Sequence, residues 1–236
     1  MQALERAAFT DALLAQGERY WDKHPFNVRL QAGGCTPAEV RTWVANRWYY
    51  QSRLSQKNAA IIANCPLPQV RMRWIQRLSF QDEGGLDDWL VLVKAVGLTL
   101  QDVTEPLLGV RFAVDAYVHF CKANSWVIGA AAALTELFAP DHMADRVKAW
   151  RQHYPWIDEA GYAYFENRIP VVRDDSGYTL GLVADHSVTH QDQQAAIDAL
   201  RFKCDVLWAM TDAIEHACLT ASCETRTASC ETRTAS

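Results

Sequence analysis

No apolar run in the chain reaches the length of a membrane-spanning helix, and Met1-Gln2-Ala3-Leu4-Glu5-Arg6 lacks a signal-peptide layout. The expected location is cytoplasmic, with no membrane partner. A net charge of −5 supplies no basic field, so nucleic acid is not an expected partner either. P-loop, G-x-G-x-x-G and G-x-S-x-G motifs are absent, which removes the common signatures of nucleotide binding and serine hydrolysis. The seven cysteines form no C-x-x-C pair, and their odd count and spacing match neither a zinc site nor a disulfide framework. Buried free thiols are expected for the middle ones. Strand alternation is missing throughout, and the segments between Pro and Gly breaks carry helical periodicity, so the chain reads as an all-α bundle.

What is present is an ordinary globular composition, half hydrophobic and 22% charged, in a chain of 236 residues long enough for one core. Residues 1–219 read as one domain. Residues 220–236 repeat Thr-Ala-Ser-Cys-Glu-Thr-Arg without a core-forming pattern, and read as a disordered or artefactual tail with no part in chemistry. Helices are expected over about 2–21, 37–63, from 68 to a break at Gly84-Gly85, 87–96, 109–123, 125–138, 141–152, 157–168, 178–188 and 190–219. Residues 170–177, with Pro170 and Asp174-Asp175-Ser176-Gly177, read as a loop, and Ala139-Pro140 as a helix end.

The most informative stretch is Trp43-Val44-Ala45-Asn46-Arg47-Trp48-Tyr49-Tyr50-Gln51. Thr36-Pro37-Ala38-Glu39 before it is a capping box with proline at the first helical position. On that helix Trp43, Arg47, Tyr50 and Gln51 share one face. A guanidinium among rings on a core-facing stripe requires a carboxylate of the chain or an anionic ligand. The residues alone leave both open.

Further cations and hydroxyls sit on other apolar helices: Arg77, Arg146, Arg168 and Lys203, with Tyr20, Tyr117, Tyr162 and Tyr164. If they converge, the arginines can grip several carboxylates and the tyrosines and lysine can relay protons. If they do not, they are separate structural ion pairs. Glu136, in a nearly all-apolar helix, is either paired or functional. His142 and Arg146 are spaced i, i+4. His186 and His190 have a spacing that can hold an ion, but no matching carboxylate-plus-His partner is apparent, so no metal is expected.

WVANRWYYQ (43–51), KNAAIIANCP (57–66), RWIQR (73–77), GVRFAVDAYVHF (109–120), LTELFAP (134–140), QHYPWI (152–157), GYAYFENR (161–168) and FKCDVLW (202–208) together resemble the PqqC family of pyrroloquinoline-quinone synthases. The resemblance spans about residues 5–218. It implies a compact seven-helix bundle of the haem-oxygenase-like type without haem, usually a homodimer. The implied activity is ring closure and eight-electron oxidation of a tricyclic polycarboxylate quinone precursor. O2 serves as co-substrate, hydrogen peroxide is released, and no metal or organic cofactor takes part. It further implies that Tyr20, Arg47, Tyr50, Gln51, Arg77, Tyr117 and Arg146 bind substrate, and that Tyr164, Arg168, Lys203 and Gln81 serve catalysis.

The family pattern is broken at its pocket histidines. Trp21, Gln81 and Met143 stand where the resemblance places imidazoles, and His142 lies one place from the last, about 100° round the helix. Glutamine hydrogen-bonds but does not exchange protons near neutral pH. This leaves two alternatives beside the full oxidation: an oxidase with a different or only partly oxidised product, and a non-catalytic protein that binds a quinone acid.

Overall fold

The computed structural model describes residues 2–234, with side chains through residue 222. The backbone is helical nearly throughout, with no strand among the described residues. The first helix is shorter than its periodicity predicts. α1 (Arg6–Leu14) tightens into 3₁₀ turns at Ala15–Arg19 and Trp21–Lys23. His24 then caps α2 (Pro25–Gln31): its Nδ1 accepts from the Phe26 amide at 3.1 Å while Nε2 meets Asp212 at 3.0 Å.

α3 (Pro37–Asn64) opens on the expected capping box. The Glu39 amide donates to the Thr36 hydroxyl at 3.3 Å, and the Thr36 amide donates to the Glu39 carboxylate at 2.7 Å. α4 (Pro68–Phe80) does not stop at Gly84-Gly85. It passes through one π-helical turn, Gln81–Gly85, directly into α5 (Leu86–Ala95). α6 (Leu108–Ala123) packs on α3. α7 (Trp126–Ala133) is followed by a 3₁₀ turn, Leu134–Phe138, and Ala139-Pro140 then starts α8 (Ala139–His153) rather than ending a helix. Proline at the first turn gives up an amide hydrogen that has no intrahelical partner there.

The expected loop at 170–177 is the middle of α9 (Ala163–His186), which runs through Pro170. Tertiary charge pairing overrides local propensity here. Asp174 meets Arg73, and Asp175 accepts from Arg77 Nε at 2.9 Å, so the two acids that suggested a turn are held against α4. α10 (His190–Thr234) packs on α6 and α7. The seven expected helices become more segments because the N-terminal part is broken into short pieces. Residues 223–236, most of the tail expected to stand apart from the domain, have side chains outside those described.

The core is built on Trp43, Trp74, Trp89, Trp150, Phe9, Phe26 and Phe165, all buried. Trp43 meets Trp21, Trp89 and Trp150 at ring distances of 5.6–6.2 Å, so one α3 side chain joins the N-terminal turns, α5 and α8. The cysteines among the described side chains, Cys35, Cys65, Cys121, Cys204 and Cys218, are free and buried.

Two glycines test this packing with opposite signs. A Cβ on Gly161 would stand 2.6 Å from the Ala95 methyl, so Gly161→Ala overpacks the contact with α5 and should cost about 1–3 kcal/mol. Gly177 lies mid-helix with nothing within 4 Å of such a Cβ, so Gly177→Ala should stabilise by about 0.5–1 kcal/mol. Urea unfolding of both variants measures the two signs directly.

Candidate active site

α3, α8, α9, the Tyr20-Trp21 turn and the 134–138 turn enclose a cavity of about 50 Å³, room for a few waters. Tyr20, Arg47, Tyr50, Gln51, Arg146, Tyr164 and Arg168 line it, joined by Trp21, Glu136, His142 and Met143. A smaller lobe of about 20 Å³ lies beyond Glu136 and Arg168, walled by Lys57, Arg77, Gln81 and Asp175. Tyr117 and Lys203 form the layer behind Tyr50: the Lys203 ammonium position is 4.3 Å from the Tyr50 ring and 4.2 Å from the Tyr117 ring. The eleven side chains to which the resemblance gives a site role thus converge on one region, whereas Tyr162 lies apart, its ring 5.0 Å from Arg151.

Arg47 decides between the two readings of its helix. Among the described residues no carboxylate forms an ion pair with it. Its guanidinium lies 4.5 Å from the Trp21 ring and 4.3 Å from the Tyr50 ring, and its buried Nε and Nη1 have no hydrogen-bond partner. Arg146 repeats the pattern. It lies 4.4 Å from the Trp43 ring and donates to Asn27 Oδ1 at 3.2 Å, and its Nε is unpartnered. Lys203 is fully buried, and its Nζ also lacks a partner. Burial, then the positive charge of Arg47 and Lys57, pushes the Lys203 amine well below the usual lysine range. Burial raises the Tyr20 hydroxyl to about 12 and keeps Tyr50 and Tyr117 protonated as well.

The second lobe is built the other way, as a closed ion-pair cluster. Arg77 bonds Glu136, Asp175 and, at 3.1 Å, the Thr179 hydroxyl. Lys57 lies 3.7 Å from Glu136. Burial alone would raise the Glu136 carboxyl, but Arg77 and then Lys57 outweigh it and hold it below its ordinary value. Glu136 is therefore paired, and Arg77 is committed to the chain's own carboxylates. Sequence reasoning overlooked Lys57. It follows Gln51 and Leu54 at helical spacing, so the same stripe of α3 would have found it.

Gln81 occupies the π turn, a distortion often found at functional positions. Its Oε1 accepts from Arg168 Nη1 at 2.6 Å and its Nε2 donates to the Gln51 carbonyl at 3.2 Å, tying α9 to α3. Gly85 lets this bond lie against the backbone: a Cβ there would stand 3.2 Å from Gln81 Oε1 and 3.3 Å from Arg168 Nη1. The i, i+4 pair His142 and Arg146 is in contact, Nη2 to Nε2, at 2.8 Å. His186 and His190 do not share a helix. His186 ends α9 and meets Trp126 edge-on at 4.9 Å, whereas His190 opens α10. Among the described residues no three His, Cys, Asp or Glu side chains are gathered as metal ligands.

Gln81→Ala removes the acceptor of a half-buried charged donor and the donor to the buried Gln51 carbonyl, and should cost about 1–3 kcal/mol in urea unfolding. Gln81→Glu keeps an acceptor for Arg168 and should recover most of that loss, because only the donor to the Gln51 carbonyl is missing.

Comparison with known proteins agrees with this architecture. The chain is 44% identical over 221 residues to the pyrroloquinoline-quinone synthase of Acinetobacter baumannii (strain ACICU), covering 90% of this chain and 88% of that protein. It is 45% identical over 223 residues to the enzyme of the same name from Pseudomonas syringae pv. syringae (strain B728a), covering 91% and 89%. Among solved structures, a domain of unknown function with a heme oxygenase-like fold from Shewanella denitrificans superposes with a TM-score of 0.76 at 12% identity, over 93% of this chain and 96% of that one. A TenA homologue from P. horikoshii gives 0.67 at 18% identity, over 86% and 98%. Residues 11–213 match the model of the TENA/THI-4/PQQC family, and with this extent of likeness in sequence and fold the chain belongs to that family.

Proposed function

We propose that the chain acts as a pyrroloquinoline-quinone synthase, the name carried by its 44% and 45% identical relatives. It closes the last ring of a tricyclic quinone precursor and oxidises the product with O2, releasing hydrogen peroxide. The observation that carries this reading is the set of buried basic side chains without counter-ions: Arg47 and Arg146 in the wall of one aromatic-walled cavity, and Lys203 in the layer behind Tyr50. A flat polycarboxylate supplies what each lacks: carboxylates for the guanidiniums and a face for Trp21 and Tyr50.

The roles divide by geometry. Arg47 and Arg146 grip carboxylates, and Tyr20, Tyr50, Gln51 and Tyr117 orient the rings. Lys203 steadies anionic charge from behind Tyr50. Tyr164 and Arg168 flank the reacting centre, where Arg168 is held in place by Gln81. Glu136 lies between the two lobes, so a bulky ligand must displace its side chain. Arg77 and Lys57, freed from Glu136, then accept a further carboxylate. The reaction needs no metal or organic cofactor, since the substrate is itself redox-active and O2 takes the electrons. The active species is a cytoplasmic homodimer. No helix among the described residues is long and apolar enough to cross a membrane.

The test of activity is to mix metal-free protein with the precursor in air and follow quinone absorbance and peroxide together. Growth of both supports the reading. No absorbance change at stoichiometric protein overturns it. A stable spectral shift without peroxide instead assigns the protein to binding alone.

Two predictions concern the cations. Arg47→Ala should weaken binding of pyrroloquinoline quinone by about 1.5–3 kcal/mol, roughly 10- to 150-fold, with unfolding stability unchanged or raised, because an unpaired buried charge is removed. A bound carboxylate returns the proton to Lys203, whose empty-site pKa is depressed. Binding therefore takes up a proton, and affinity should fall as pH rises, by up to about tenfold per unit for one proton. Titration at a series of pH values from about 7 to 10 measures this slope.

A further inference from the structure

Most groups lining the cavity hold their protons fixed, and one of them, an imidazole, does not; Lys203 lies outside this lining, in the layer behind Tyr50. Arginines 47, 146 and 168 are permanent donors. Tyr20 and Tyr50 are kept protonated by burial. Glu136 is held ionised against Arg77 and Lys57. Gln81 and Gln51 do not titrate. Of the seven histidines in the chain, His142 is the one that lines the cavity. Among the others, His24 is spent on the α2 cap and Asp212, and His186 packs edge-on against Trp126.

The setting of His142 fixes its tautomer. Its Nε2 accepts from Arg146 Nη2 at 2.8 Å, because a guanidinium only donates. The ring is therefore neutral, with the hydrogen on Nδ1. It stands edge-on to Tyr20 at 6.0 Å and to Trp21 at 6.2 Å. The charged groups acting on it are all positive: Arg146 on its own helix, Arg47 from α3 and Lys23 from the turn before α2. Burial first, then these cations, hold it well below the ordinary histidine value, and among the described residues no carboxylate forms an ion pair with it.

We propose that His142 is the proton-transferring side chain of this site, and that carboxylate binding switches it on by drawing Arg146 away from its Nε2. The proposal rests on the reading of the cavity as a polycarboxylate site. When a ligand carboxylate takes the Arg146 N–H, the Nε2 lone pair is released. The same negative charge cancels the field of Arg146 and Arg47. Nε2 then forms an N–H bond with a proton given up by the ligand or by water. The electron pair of the broken bond stays on the donor atom, and the imidazole becomes a cation. In the empty site the lone pair is blocked, so His142 does not take up protons without a ligand.

The test is nuclear magnetic resonance of the histidine ring carbons and protons of the whole protein over a pH series, with and without saturating pyrroloquinoline quinone. His142 is assigned through backbone connectivity and checked by its loss in His142→Gln. The expected result is a neutral Nδ1–H ring in the free protein and a midpoint raised by about one unit or more in the complex. A His142 midpoint unchanged in a complex that visibly forms overturns this proposal and leaves the function reading standing. Absence of binding, seen as an unchanged quinone spectrum, overturns both. As a second arm independent of that variant, Arg146→Met, which removes both the N–H donor to Nε2 and its positive charge, should raise the His142 midpoint in the free protein; a free-protein midpoint that stays put also overturns the switch.

Discussion

An unpaired guanidinium buried among aromatic rings is the constraint on which the site depends. Removing a charge from water without a partner costs several kcal/mol. Arg47 recovers part of that from Trp21 and Tyr50, since each ring contact contributes about 0.5–2 kcal/mol. The balance is a residual demand for an anion, and Arg146 adds to it within the same wall, with the Lys203 amine behind Tyr50. A fold that only needed stability would replace these residues with apolar ones of similar size. The proposed anionic ligand accounts for their presence.

The rest of the site can be read as the frame that keeps this demand in place. Glu136 and Asp175 satisfy Arg77 and Lys57, and in doing so join α3, α4, α9 and the turn after α7 around the second lobe. Gln81 couples the π turn to α9 by holding Arg168, and to α3 through the Gln51 carbonyl. The cations of the second lobe are neutralised by the chain and those of the first are not. The proposed anionic ligand answers the demand of the first lobe, and it reaches the cations of the second only by displacing Glu136.

Much of this was legible from residue spacing, and what was not has physical causes. The α3 stripe from Trp43 to Gln51 and the Thr36–Glu39 capping box are local features, fixed by helical geometry, and appear as expected. The i, i+4 contact of His142 with Arg146 is of the same kind. The middle of α9 was misread because Pro170 and the run Asp174–Gly177 have loop propensity, while the helix is held by Arg73 and Arg77 from distant α4. Gly84-Gly85 was misread as a break because a π turn has no local sequence signature. Whether Arg47 had a carboxylate partner was undecidable in one dimension. It depends on which acids four other elements bring near, and those acids go to Arg77 instead.

The central claim is that the unpaired cations of the first lobe form a preorganised receptor for carboxylates. A crystal structure with pyrroloquinoline quinone bound tests it most directly. The account predicts carboxylate oxygens within hydrogen-bond distance of Arg47 and Arg146, with the ring system between Trp21 and Tyr50. A ligand seated elsewhere, with the Arg47 nitrogens still unpartnered among their rings, would contradict it.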